Sequence, residues 1–294
     1  MYIAIVGGTG FVGSHLVPHL AKAGHRVIAI SRTGRRLPDW TDAVEARAAD
    51  VTTGAGLDEA LAGTDAVVHL VAIPRESRGR RFEDVNVGGT RRVVEAAERA
   101  GIRRFVHLSV LGVVDDPKLG YLRSKARGEQ LVRESSLGWV VLRPSLMFGV
   151  GDGFFNIVKT TLRYWSPGVV AIPGNGDTRF QPLAADDLAI AVERSLTDSD
   201  RAGSVYELGG PEWLTYRQIV DEVMRVTDMR RLKLPIPIPL ISALTAVTDR
   251  LLPIFPVTHD QIGSLQRQNF TDLDAFEKAF SVKPRKLDLS YLRT

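Results

Sequence analysis

The chain opens on an unbroken apolar run, Tyr2–Val6, and apolar strand runs recur at residues 26–30, residues 66–71, Arg104–Leu108 and residues 139–142, with a further one, Val44–Ala48, interrupted by Glu45 and Arg47. Strands covered on both faces read in this way, as continuous apolar stretches without alternation, because neither face meets water. Between them, residues 11–23, 82–100 and 119–134 place apolar side chains at helical spacing, and Leu57–Leu61 reads as a short helix. This order predicts an α/β fold, a doubly wound parallel sheet with helices on both faces. From Gly149 through Pro182, glycine, proline and aromatic residues become frequent and the regular alternation stops. The expected organisation is a first domain over residues 1–148 and a small C-terminal α/β substrate lobe over 149–294, with some segments returning to the first domain.

Directly behind the first strand stands G-G-T-G-F-V-G, with Gly7, Thr9, Gly10, Phe11, Val12 and Gly13. Strand, tight glycine turn and helix in that order form the first unit of a dinucleotide-binding, or Rossmann, fold. Gly7 gives the turn its φ freedom, Gly10 removes a side chain that would block a pyrophosphate, and Gly13 permits close packing of the new helix. The helix N-terminus then offers free N–H groups and partial positive charge to the phosphates.

The formal net charge of +4 comes mostly from scattered arginine, with local groups at Arg32, Arg35 and Arg36 and at Arg75, Arg78, Arg80 and Arg81. Aromatic residues are not interleaved with them, so no nucleic-acid partner is expected. The absence of cysteine excludes disulfides, thiol catalysis and thiolate metal sites. His15 and His19 stand four apart in the first helix, but no third ligand accompanies them and no metal is expected. The second residue already belongs to a strand, and no apolar run reaches the ~18 to 20 residues of a membrane span. A cytoplasmic protein is expected.

The second strand ends at Ser31-Arg32, where no acidic residue is available to grip two ribose hydroxyls. These residues, with Arg35 and Arg36 nearby, favour a 2′-phosphate and hence NADP(H) over NAD(H). Farther on, Tyr121 and Lys125 project from one helix face, and Ser109 follows a strand at the ligand-binding edge of the sheet. The three suit hydride transfer: a tyrosine hydroxyl exchanging the substrate proton, an ammonium lowering the phenol from its usual ~10, and a serine holding the substrate oxygen.

With Asp50-Val51, Asn86 in N-V-G-G-T, His107 to Ser109, Y-L-R-S-K and R-P-S-L-M-F-G, the chain resembles the extended and atypical short-chain dehydrogenase/reductases. The late motifs Phe180-Gln181-Pro182, Asp186-Asp187, Glu207 to Pro211 and Thr258 to Gln261 are most similar to the group of the complex I alpha-subcomplex subunit nine. The resemblance implies that Asp50 and Val51 lie beside the adenine and Val71 and Ala72 along the cofactor. It implies that Lys125 also binds the nicotinamide ribose, and that Pro144, Ser145 and Leu146 border the nicotinamide. Asn86 opens a long helix and helps to order the site. The interval from Ser109 to Tyr121 is shorter than in classical members. Two alternatives stay open: a nucleotide-holding structural protein of a respiratory or quinone-related membrane complex, and a nucleotide-sugar epimerase or dehydratase.

The stretch 234–256 carries five prolines, too many for one continuous helix, and Asp249 and Arg250 exclude a bilayer span. A short amphipathic helix over 240–252 is expected, covering an apolar or quinone-like substrate, lying at a membrane surface, docking a partner or packing on its own domain.

Overall fold

The computed structural model describes residues 1–166, 168–240 and 270–293. In chain order the elements are β1 (Tyr2–Val6), α1 (Phe11–Lys22), β2 (Arg26–Ser31), β3 (Val44–Ala48), α2 (Leu57–Leu61) and β4 (Ala66–His69). A π-helical turn, Glu83–Gly88, runs into α3 (Gly89–Arg99), followed by β5 (Arg104–Leu108), α4 (Gly120–Arg133), β6 (Gly138–Pro144) and β7 (Met147–Phe148). Then come α5 (Phe154–Thr160), β8 (Val169–Pro173), β9 (Arg179–Phe180), β10 (Leu183–Ala184), α6 (Ala185–Thr197) and β11 (Ser204–Leu208). The last are β12 (Leu214–Thr215), α7 (Tyr216–Val226), β13 (Leu232–Ile236) and α8 (Ala275–Phe280).

Two compact units result: Met1–Pro144 with Ala185–Glu207, and Ser145–Ala184 with Leu208–Thr294. The first is built on a seven-stranded sheet of order β11-β6-β5-β4-β1-β2-β3. The pairs from β6 through β5, β4, β1 and β2 to β3 are all parallel. Strand order reverses between β1 and β4, which opens a crevice at their carboxyl ends. The continuous apolar runs have the expected cause, since every residue of β4 and residues 27–30 of β2 are buried. On one face, Ala4, Val6, Ile28 and Ile30 pack with Leu57 and Leu61 of α2 and Val93 and Ala97 of α3. Elsewhere in the same unit α1 lies along α6, where His15 Nδ1 meets Asp186 Oδ1 at 2.7 Å and His19 Nε2 meets Glu193 Oε2 at 2.6 Å. These two histidines join helices.

The second unit has its own core of Phe155, Phe180, Ile219 and Val223, with Leu289 and Leu292 from the chain end. Its F-Q-P and G-G-P motifs interlock. A Cβ on Gly209 would lie 2.2 Å from the Gln181 side chain, and one on Gly210 only 1.9 Å from the Pro182 carbonyl. Gln181, fully buried, donates to the Gly210 carbonyl at 2.7 Å and accepts from the Thr271 amide at 2.8 Å. Part of the proline-rich stretch is strand: β13, including Pro235, pairs in parallel with β8 in a two-stranded sheet, where an edge tolerates proline. Apart from Leu240, the helix expected over 240–252 lies outside the described residues, as does the segment Thr258 to Gln261. Among the described residues no helix is long and apolar enough to cross a membrane.

Candidate functional site

The glycine turn sits at the carboxyl end of β1. Gly7 adopts φ +98°, a conformation closed to most side chains, and the amides of Gly7 and Gly8 both donate to the Ile30 carbonyl, at 2.9 and 3.1 Å. A Cβ on Gly13 would lie 2.5 Å from the Gly8 carbonyl oxygen and 2.6 Å from that of Gly7, so the first turn of α1 rests directly on the glycine turn. At Gly10 the nearest atom to a Cβ is the Gly7 carbonyl oxygen at 3.4 Å, and the residue, like Thr9, is exposed. The fold therefore does not require glycine at this position. Gly10 is also the N-cap of α1, makes no side-chain cap and is followed by no acidic residue, so Phe11, Val12 and Gly13 open the helix with its positive pole uncompensated. Open space beside free amides fits an anionic group such as a pyrophosphate. Gly8, which drew no attention in the sequence, is required for packing, since its Cβ would approach Ala29 Cβ of β2 to 2.8 Å.

At the end of β2, the Ser31 hydroxyl is buried with no hydrogen-bond partner among the described residues, and Arg32 is exposed. Arg36 is engaged in its own loop, with Asp42 3.7 Å away. Its guanidinium is spent on the carbonyls of Val44, Trp40 and Thr41, the latter two at 2.8 and 2.7 Å, where it staples its own loop. Asp50 Oδ1 accepts from the hydroxyl and amide of Thr52, at 2.6 and 2.8 Å, and these bonds hold its carboxyl below the usual range, helped by Arg32 and Arg92. Val51 is buried in the core and packs against Gly89, where a Cβ would come within 3.1 Å of its side chain. Val71, half-buried, stands against Gly7, and Ala72 follows it on the loop after β4.

Asn86 does not open a helix. It lies inside the turn Glu83–Gly88 and is 3% exposed. There its carboxamide accepts from the Ile73 amide at 2.8 Å and donates to the Ile73 carbonyl at 3.1 Å and to Ser124 Oγ at 2.9 Å. A planar amide matched to backbone in this way ties the loop after β4 to α4. The close approach of α4 needs Gly128, whose Cβ would lie 2.9 Å from the Asn86 carbonyl.

On α4, Lys125 is buried and its ammonium donates to the Leu108 carbonyl at the end of β5. Burial pulls its pKa down to about 8, against the opposing pull of Glu129. Tyr121 is half-buried one turn earlier, its ring tilted against Phe82 at 6.1 Å. Ser109 is buried and its hydroxyl donates to Glu129 Oε2 at 2.8 Å. Glu129 was missed in the sequence, although the spacing Tyr121, Lys125, Glu129 continues one helix face. His69 was missed, and His107 was noted only within the motif His107 to Ser109; the two are fully buried cross-strand partners close enough to Lys125 for its charge to act on both. Pro144 ends β6 and accepts from the Leu111 amide at 2.9 Å. Ser145 and Leu146 belong to the second unit, where the Ser145 amide donates to Leu208 and Leu146 packs against its core.

Residues 7–152 match the NAD(P)H-binding family. The chain is 28% identical over 296 residues to NADH dehydrogenase (ubiquinone) 1 alpha subcomplex subunit 9, mitochondrial, of Arabidopsis thaliana, covering 97% of this chain and 73% of the relative. It is 30% identical over 286 residues to divinyl chlorophyllide a 8-vinyl-reductase, chloroplastic, of Zea mays, covering 90% and 69%. A nucleoside-diphosphate-sugar epimerase of Staphylococcus aureus superposes over the full length of both chains with a TM-score of 0.79 at 17% identity, which shows a common fold. The chain belongs to the NAD(P)H-binding family and has a Rossmann-type fold.

Proposed function

We propose that this protein is an NADPH-preferring oxidoreductase of the short-chain type, in which Tyr121 exchanges a proton with the substrate oxygen and Lys125 sets its acidity. The observation that carries this reading is the burial of Lys125, one turn from Tyr121, with its ammonium on the carbonyl at the end of β5. With a pKa of about 8 it is mostly charged at neutral pH, and a cation in a buried setting favours the phenolate form of a nearby tyrosine. One of its three N–H groups is taken by Leu108, which leaves two for a ribose hydroxyl and the tyrosine.

The nicotinamide cofactor would supply or accept the hydride. Gly7, Thr9, Gly10, Phe11, Val12 and Gly13 would hold its pyrophosphate. The buried Ser31 hydroxyl and exposed Arg32 would hold a 2′-phosphate, which favours NADP(H). Asp50, with only Oδ1 committed to Thr52, would offer Oδ2 to the adenine amino group beside Val51. Val71 and Ala72 would flank the cofactor, and Pro144, Ser145 and Leu146 would border the nicotinamide. The second unit would receive a small substrate, apolar or quinone-like. A cytoplasmic protein with peripheral membrane association belongs to the same reading.

Loss of NADPH absorbance on adding short-chain quinones or apolar ketones tests it, with mass spectrometry of small molecules released from the purified protein to identify what it carries. No oxidation with any of them would favour the second reading, a nucleotide-holding subunit of a respiratory complex, which the names of the relatives support. Turnover of a nucleotide sugar without net oxidation would favour an epimerase or dehydratase, in keeping with the sugar-nucleotide neighbours.

A further inference from the structure

One buried carboxylate gathers the polar contacts behind α4. Glu129, 3% exposed, accepts from Ser109 Oγ at 2.8 Å and from Arg143 twice, through Nε at 3.0 Å and Nη2 at 2.7 Å. Arg133 approaches it to 3.7 Å, and Arg143 reaches on to Glu207 at 3.4 Å. Consecutive turns of α4 are thereby attached to consecutive residues at the end of β5, Lys125 to the Leu108 carbonyl and Glu129 to the Ser109 hydroxyl. Together with the Asn86 contact to Ser124, these two attachments one turn apart fix the rotation and axial position of the helix.

The polarity of the serine contact follows from its partner. A carboxylate held by a bidentate guanidinium only accepts hydrogen bonds, so Ser109 must donate its single hydroxyl hydrogen to it. Hydrogen bonds to a charged acceptor are roughly twice as strong as those to a neutral carbonyl. A substrate carbonyl therefore does not draw that hydrogen away.

We propose that Glu129 is a positioning residue, which with Ser109 and Arg143 locks α4 so that Tyr121 and Lys125 stand in their working register, and that Ser109 serves this lock and does not donate to substrate. This rests on the reading of Tyr121 and Lys125 as the acid/base pair. It takes from Ser109 the substrate-holding role expected from the sequence.

The test is an NMR titration of the full-length protein, alone and with NADPH, labelled with 13C at tyrosine Cζ, with Tyr121→Phe assigning the resonance. Ser109→Ala changes no charge, so a shift there reports geometry. It and Glu129→Gln should each move the Tyr121 midpoint by about half a pH unit or more, while Ser109→Thr, which keeps the hydroxyl, should match the parent. A cooperative urea unfolding transition like that of the parent would show that the variants are folded. A Tyr121 titration that responds to Lys125→Ala but is unmoved by Ser109→Ala overturns the lock alone. One unmoved by Lys125→Ala as well overturns the acid/base reading, and the positioning role with it.

Discussion

His69 and His107 are direct partners across β4 and β5, their rings stacked at 5.5 Å and 29° in the interior of the sheet. His69 Nε2 meets Thr90 Oγ1 at 3.0 Å, while neither ring nitrogen of His107 has a hydrogen-bond partner among the described residues. Burial, with the nearby Lys125 charge, lowers His69 to about 3 and holds His107 well below its usual value.

Both rings are therefore neutral when folded and protonate near pH 6.5 when unfolded, so stability present above that pH is lost as the pH falls below it. Each histidine should contribute about 1.4 kcal/mol of loss per pH unit, continuing toward pH 3 for His69. Urea unfolding at pH 8, 6 and 5 should show a shallower decline in His107→Phe than in the parent; parallel declines would refute this account.

Gly10→Ala and Gly13→Ala should separate binding from folding. The Gly13 Cβ meets backbone at 2.5 Å and should lower the melting temperature by several degrees, while the Gly10 Cβ meets nothing nearer than 3.4 Å and should leave it unchanged. Calorimetric titration of Gly10→Ala should nevertheless find NADPH affinity reduced at least about tenfold, or 1.4 kcal/mol. Unaltered affinity would mean that phosphate does not approach this residue.

Arg32→Ala should weaken NADPH by about 1.5 to 3 kcal/mol and NADH little, as expected for a charge-assisted contact to a 2′-phosphate. Arg36→Ala should instead lower the melting temperature, because its bonds go to the loop carbonyls. Equal affinity of the parent for both cofactors would sink the assignment of Arg32.

Tyr121→Phe should abolish whatever turnover is found and leave NADPH affinity nearly intact, whereas Lys125→Ala should damage both. Reduction by the phenylalanine variant at the parental rate would show that the proton comes from elsewhere.

The parts of the fold legible from sequence were those in which burial on both faces dictates composition. β1, β5 and α2 begin and end where the apolar pattern places them, and so does the edge strand β3, although only its Val44 is buried and Glu45 and Arg47 alternate with apolar residues. The 66–71 run leaves the sheet early, after His69, although the Leu70 amide still reaches the Val6 carbonyl. What composition cannot carry is which polar group meets which. Asn86 is a common helix-opening residue, yet here it binds both backbone groups of Ile73, a contact set by a loop 13 residues away. Glu129 resembles any solvent-facing helix carboxylate until Arg143 and Ser109 are brought to it. β13 was hidden because a strand with a proline pairs only at an edge, and its pairing with β8 spans more than sixty intervening residues.

The chain crosses between its two units after Pro144, Ala184 and Glu207. During synthesis, β1 to β6 leave the ribosome without α6, whose buried Leu188, Ala191 and Val192 belong to the same unit, and without β11, which flanks β6 at the sheet edge. A fragment stopped near residue 148 would expose the apolar surface of α1 and an unpaired β6 edge, and should be a client of chaperones or an aggregate. The smallest autonomous piece of this protein therefore extends past residue 207, well beyond the segment that carries the nucleotide signature.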